Sequence, residues 1–191
     1  MTARAVVRDA VSDAVQDAAH GDPRVAALVA HFETVASGAM RDMAVVNRAL
    51  RVEAIGFAPK AGEAGARGAW LGVLITPWSM NLLWLPGATQ DSAPCPRPGG
   101  KACLRVGNVD FEWIGAHAQD VGAYACCSLF SPMFEFAGQE SAAATARAVL
   151  AQLRGAEGGG QGDGKGDTSA VAPRASRRAF LLRPGAFGSA A

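Results

Sequence analysis

Charge of one sign is what this chain most conspicuously lacks: 18 Lys and Arg stand against 17 Asp and Glu, for a net charge of +1. Nucleic acid is recognised through a basic face, so the balance removes the electrostatic case for such a partner. No uninterrupted apolar run opens the chain either, and Asp9, Asp13 and Asp17 interrupt its first twenty residues. That segment fits neither an export signal nor a membrane span, so a cytoplasmic protein without membrane insertion is expected. Cysteine is scarce, with four in all, and the spacing is wrong for a metal. Cys95 and Cys103 lie farther apart than the paired ligands of zinc sites, while Cys126 and Cys127 are neighbours that a strand turns to opposite faces. Without an export signal the thiols are expected to be reduced.

Catalytic signatures are missing in the same way. His20, His31 and His117 have no ligand spacing, and no nucleophile has an evident base. HExxH, GxSxG and GxGxxG do not occur in a proper context. Gly159 to Lys165, GGQGDGK, comes near a phosphate-binding loop, but Gly166 replaces the magnesium-binding hydroxyl. A helix precedes the segment and none follows, so the strand-loop-helix context is absent. The residues therefore argue for a protein that is not an enzyme and carries no cofactor.

What is present is apolar and aromatic. Half of the residues are hydrophobic, enough for one core-bearing domain. Val25, Leu28, Val29, Phe32 and Val35 recur at helical spacing after Asp22 and Pro23, which suit a cap and a first turn, and Gly38 ends the helix. Leu50 to Phe57 alternates as a half-exposed strand. Trp70 to Thr76 and Met80 to Leu85 read as two strands joined at Pro77-Trp78. Ala88 to Gly100 is a proline-rich loop. Asp110 to Gly115 and Gly122 to Phe130 are two more strands around the turn AHAQDVG. Ala143, Ala146, Val149, Leu150 and Leu153 mark a second helix ending at Arg154-Gly155. The expected fold is α+β: an antiparallel meander of about five strands against two main helices, in a single domain. Residues 1–22 read as a flexible extension, 23–154 as the core and 155–175 as a glycine-rich insertion. Residues 176–184 form a segment returning to the core, with Ala179 to Leu182 long enough for one edge strand, and 185–191 are a tail.

Two segments have more than one reading. Phe130, Met133, Phe134 and Phe136 either close the core or form an adaptable apolar surface beside the Pro132 turn. Asp110 and Glu112 share the strand face opposite Phe111 and Trp113, either as a solvated face or as two charges offered to a partner. Of the adjacent thiols, one reads as a small core residue.

Taken together, Trp70, Gly72, Ile75-Thr76-Pro77-Trp78, Met80, Pro86-Gly87, Gly107, Phe111, Gly115, Cys127-Ser128-Leu129, Ser131-Pro132 and Arg177-Arg178-Ala179 carry a resemblance. In these the chain resembles the HybE/HupJ group of [NiFe]-hydrogenase assembly chaperones, over about residues 23–154 and 176–183. The resemblance implies an accessory protein that binds the small and/or large subunit precursor during cofactor insertion, subunit pairing and twin-arginine export, with other maturation proteins as further partners. Some relatives are fused to rubredoxin-like modules; here no pair of CxxC knuckles exists to hold such an iron. On this reading Trp78, Met80, Met133 and Phe134 include client-contacting residues, and Asp110 and Glu112 face a basic leader motif. The rival expectation is a redox- or metal-handling maturation factor using Cys126 or Cys127.

Overall fold

The computed structural model of the protein describes residues 22–59, 69–87, 95–107 and 109–158. Helix α1 (Pro23–Ser37) comes first, then strands β1 (Glu53–Pro59), β2 (Trp70–Ile75), β3 (Met80–Leu85), β4 (Lys101–Val106), β5 (Val109–Ala118) and β6 (Gly122–Phe130), and finally helix α2 (Gln139–Gly158). The six strands form one antiparallel sheet in the order β1-β2-β3-β6-β5-β4. The α+β class and the two helices are as the sequence leads one to expect. The sheet is two three-stranded meanders joined where β3 pairs with β6. Its sixth member, β4, is not among the expected strands: KACLRV alternates exposed and covered residues but is short and pairs only with β5, leaving five of six positions exposed or half-buried.

The two helices lie on opposite faces of the sheet. Leu28 of α1 joins Val52, Leu74, Leu83, Leu85 and Tyr124 on one side. On the other, Ala142, Ala146, Val149, Leu150 and Leu153 of α2 meet Ile55, Val73, Leu82, Trp84 and Cys127. Strands β2 and β3 are buried on both faces almost throughout, as continuous apolar runs require. Strand β1 stays half-exposed, as its alternation leads one to expect: of its seven residues only Ile55 is buried, on the face that α2 covers. Buried apolar surface at roughly 25 cal/mol per Å² is the main term holding both layers to the sheet.

Local chemistry sets the ends of these elements. Asp22 caps α1 by accepting from the Arg24 backbone N–H at 2.9 Å, and Pro23 sits in the first turn, where a missing N–H costs nothing. The Arg24 guanidinium clasps Asp22 and also donates to the Pro86 carbonyl at 2.6 Å, tying α1 to the end of β3. Burial acts to raise the Asp22 pKa, and the hydrogen bonds and charge of Arg24 outweigh it, leaving the carboxyl below its ordinary value. Gln139 starts α2 by accepting from Arg51 N–H at 2.9 Å and donating to Glu53 at 2.6 Å. The helix then continues three residues past the expected Gly155 stop, to Gly158.

A bulge sits in β1 between Ile55 and Ala58, with Gly56 at φ 57°, a left-handed conformation that favours glycine. It reverses the side-chain alternation, so Ile55 faces α2 while Phe57 packs on the α1 side. Gly72 of β2 lies beneath that ring: a Cβ there would meet Phe57 at 2.4 Å. Gly115 is more constrained still, because its Cβ would fall 2.1 Å from the Pro96 carbonyl oxygen and 2.4 Å from that of Arg97. The Cys95–Gly100 loop is held there by Gly99 N–H to Gly115 O at 2.8 Å and Gly115 N–H to Gly100 O at 2.9 Å. The weak stripe of residues 1–21, most of the glycine-rich insertion and the 176–184 segment lie outside the described residues.

A backbone carbonyl cannot swing aside as a ring can. Gly115→Ala should therefore cost about 1–3 kcal/mol of overpacking and exceed the cost of Gly72→Ala, a ranking that urea unfolding of the two variants checks.

Candidate functional site

Three connections meet at one end of the sheet: the link from α1 to β1, the β2–β3 turn, and the β6–α2 turn. Asn47 joins them. Its backbone N–H donates to Pro77 O at 2.8 Å. Its side-chain amide donates to Met133 O at 3.0 Å and Phe136 O at 2.9 Å, while its side-chain oxygen accepts from Ala49 N–H at 3.0 Å. Ser131 adds a hydroxyl bond to the Trp78 carbonyl at 3.3 Å.

The β2–β3 turn is closed from within. Thr76 N–H and hydroxyl both donate to Ser79 O, at 2.8 and 2.9 Å, and Ser79 N–H returns a bond to the Thr76 hydroxyl at 3.0 Å. Both residues are buried, and these bonds satisfy groups that burial would otherwise penalise. Trp78 projects from this turn, half-buried, with its ring 6.4 Å from that of Phe32 on α1.

The β6–α2 turn splits its apolar side chains. Met133 is fully buried and Phe136 nearly so, with Phe136 edge-on to Phe130 at 5.3 Å. Phe134 points out, 59% exposed. Of the readings open for this run, the structure selects a mixture: Met133 and Phe136 close the core, and Phe134 does not. Met80 is likewise fully buried on the α2 face. The four apolar candidates thus divide into two core residues, Met80 and Met133, and two that reach the surface, Trp78 and Phe134. Met43, 53% exposed in the α1–β1 link, is a further apolar group near this end; its isolation among MAVV left no periodic signal.

Asp110 and Glu112 lie on the α1-side face of β5, opposite Phe111 and Trp113. Asp110 is at the same end of the sheet as Trp78, because β5 begins where β3 begins. Both acids are paired with cations across the β4–β5 ladder: Arg105 with Asp110 at 2.9 Å and Lys101 with Glu112 at 3.0 Å. Such exposed pairs contribute about 0–1 kcal/mol, so the cations can be exchanged at little cost.

The thiols are separated. Cys127 is 1% exposed in the α2-side core, and Cys126 packs on the opposite face. Burial pushes the Cys126 and Cys95 thiols up from their ordinary value, away from the thiolate that redox chemistry needs. Cys103 lies beyond the proline-rich loop, on β4, and is exposed. His117 is on β5 rather than in the following turn. Among the described residues no three His, Cys, Asp or Glu side chains gather where they could hold a metal ion. None of the described helices is long and apolar enough to cross a membrane.

Comparison with known proteins bears on this arrangement directly. Residues 23–183 match the family model described as "[NiFe]-hydrogenase assembly, chaperone, HybE". "Protein HoxT" of Cupriavidus necator is 50% identical over 139 residues, spanning 69% of this chain and 75% of that one. "Hydrogenase expression/formation protein HupJ" of Bradyrhizobium diazoefficiens is 39% identical over 126 residues, 66% of this chain and 69% of the relative. "Probable rubredoxin HupJ" of Rhodobacter capsulatus is also 39% identical, over 84% of this chain but only 53% of its own length. The solution structure of HybE from Escherichia coli covers 80% of this chain and 90% of its own with a TM-score of 0.50. At 21% identity that likeness is one of fold.

Asn47→Ala removes both amide bonds to the β6–α2 turn. At about 1 kcal/mol each the loss should total about 2 kcal/mol by urea unfolding, with faster hydrogen exchange at residues 133–136.

Proposed function

The chain belongs to the HybE family of [NiFe]-hydrogenase assembly chaperones, and on that premise we propose that it binds hydrogenase subunit precursors through the end of the sheet that carries Trp78 and Phe134. The observation that carries this reading is Phe134. A phenylalanine held 59% exposed, between core residues that fix its backbone, gives a preorganised apolar anchor of the kind that dominates binding energy at interfaces. Trp78, half-buried against Phe32, offers a second aromatic at the same end of the sheet, where its carbonyl accepts from Ser131. The clients are the small and/or large subunit precursors, held during cofactor insertion, subunit pairing and preparation for twin-arginine export in the cytoplasm.

No catalytic step is required. Holding a partly folded subunit takes an apolar surface of modest size, and modest size permits release. Asp110 and Glu112 serve the same interface by exchanging Arg105 and Lys101 for the arginines of a leader. Exchange of one surface cation for another changes little in energy and keeps the contact specific for a basic partner.

A redox or metal-handling role for Cys126 or Cys127 is disfavoured by geometry, since the two thiols face opposite layers and Cys127 is sealed in the core. Cys127→Ala, if it stays folded, should support maturation near the wild-type level. Loss of maturation in a stable Cys127→Ala protein would restore the redox reading.

Binding is tested by thermal melts beside capture of each tagged hydrogenase subunit precursor. Phe134→Ala should unfold within about 0.5 kcal/mol of the parent and lose client affinity by roughly 30-fold, the equivalent of about 2 kcal/mol at an interface hot spot. Met80→Ala should lose about 2–5 kcal/mol of stability. Undiminished capture by Phe134→Ala places the client surface elsewhere.

A further inference from the structure

Asparagine carries two side-chain donors and a side-chain acceptor oxygen beside its backbone pair, and Asn47 uses all of them. Its amide nitrogen donates to Met133 O and Phe136 O, and its side-chain oxygen accepts from Ala49 N–H. Its backbone N–H donates to Pro77 O, and its carbonyl accepts from Leu50 N–H at 3.1 Å. The orientation of the amide is unambiguous, since the two carbonyls can only accept and the Ala49 N–H can only donate. No other side chain fits this set. Ionised aspartate has no donor, a serine hydroxyl has one, and glutamine carries its amide a methylene too far out to close the short bond to Ala49.

The two carbonyls that Asn47 takes belong to one turn. Phe136 N–H donates to Met133 O at 3.2 Å, so residues 133–136 close as a turn with Phe134 at its first central position. Met133 and Phe136 point into the core and Phe134 points out. A turn closed by a single bond leaves its central residues free to change direction. Binding the carbonyls at both of its ends to one amide fixes the whole turn against the link from α1 to β1. The same asparagine holds Pro77, the neighbour of Trp78, and the Ser131 hydroxyl reaches the Trp78 carbonyl from just before the turn. Two aromatics far apart in sequence are thus tied to each other through one residue.

We infer that Asn47 is a positioning residue of the client surface: through the Met133 and Phe136 carbonyls it holds Phe134 in one direction, and through Pro77 it sets that direction relative to Trp78. Its part is to hold the anchors, not to contact the client. An anchor already fixed in its bound direction gives up less conformational freedom when the client arrives. Client affinity therefore depends on a half-buried polar residue as well as on the rings themselves. The affinity role rests on the client-binding reading above; the fixing of the turn does not.

The test uses Asn47→Ser in the full-length protein. A serine hydroxyl can still accept from Ala49 N–H, and the backbone N–H remains for Pro77 O, but the bridge to the two carbonyls is lost. Asn47→Gln, with both donors on a longer arm, takes its place if Asn47→Ser does not fold. With para-fluorophenylalanine at position 134, the fluorine resonance should be a single line in the parent and should shift or split in the folded Asn47 variant. An unchanged line overturns the positioning. Affinity for the tagged small and large subunit precursors is then measured across a double-mutant cycle of Asn47→Ser and Phe134→Ala, where thermal melts show every variant folded. Asn47→Ser should weaken binding about tenfold by itself and less than about twofold once Phe134 is alanine. Equal losses in both backgrounds would leave Asn47 a merely structural residue and overturn the inference. Full affinity of Asn47→Ser, where Phe134→Ala binds weakly, overturns it as well. Full affinity of Phe134→Ala instead removes the client reading and the affinity role with it, and the fluorine line still decides whether Asn47 holds the turn.

Discussion

The constraint behind this structure is that β2 and β3 are apolar on both faces. A strand pair of that kind cannot leave either side to water, so one helix must lie on each side of the sheet, and the chain has to pass around the sheet to place them. Helix α1 enters before β1 and α2 follows β6. Both connections therefore run past the end of the sheet where β2 turns into β3. The crowding of three connections at that end follows from burial, and Asn47 is the polar residue that keeps them in register.

The two sheet edges are treated differently. On β1 the bulge at Gly56, the terminal Pro59 and the Arg154 bond to the Gly56 carbonyl blunt the edge against pairing with another chain. On β4 the exposed face carries Lys101 and Arg105, each held by an acid from β5. Charge protects one edge and irregular backbone the other.

Most of the fold was legible because it rests on patterns with a physical period. The Asp22-Pro23 start of α1, the stripe through Leu28 and Phe32, and the paired apolar runs around Pro77-Trp78 each declared their element. Strand β4 went unread although Ala102, Leu104 and Val106 alternate with Lys101, Cys103 and Arg105, because a six-residue run whose inward side chains are small or only half-covered stands out little beside the proline-rich loop before it. The face assignment of Ile55 and Phe57 was hidden by the Gly56 bulge, which turns two residues that would share a face to opposite ones. For the proposed site, the sequence singled out Trp78, Met80, Met133 and Phe134 alike, whereas the structure leaves Trp78 and Phe134 at the surface and buries the two methionines. All four are large and apolar near a proline, and only tertiary packing separates surface from core. Asn47 gave no signal, because an asparagine that bonds residues almost ninety positions away looks like any loop asparagine in one dimension.

The turn from Thr76 to Ser79 has a consequence for how a partner can be accepted and released. Its hydroxyls and backbone groups bond to one another, and both residues are already out of water. A surface whose polar groups have found partners internally has little hydration left to strip when another polypeptide covers it. Covering this turn therefore costs little dehydration on arrival, and its polar groups need no rehydration on departure. On the proposed client surface, that symmetry leaves the aromatic groups and the exchangeable acid pairs to set how long a visitor stays.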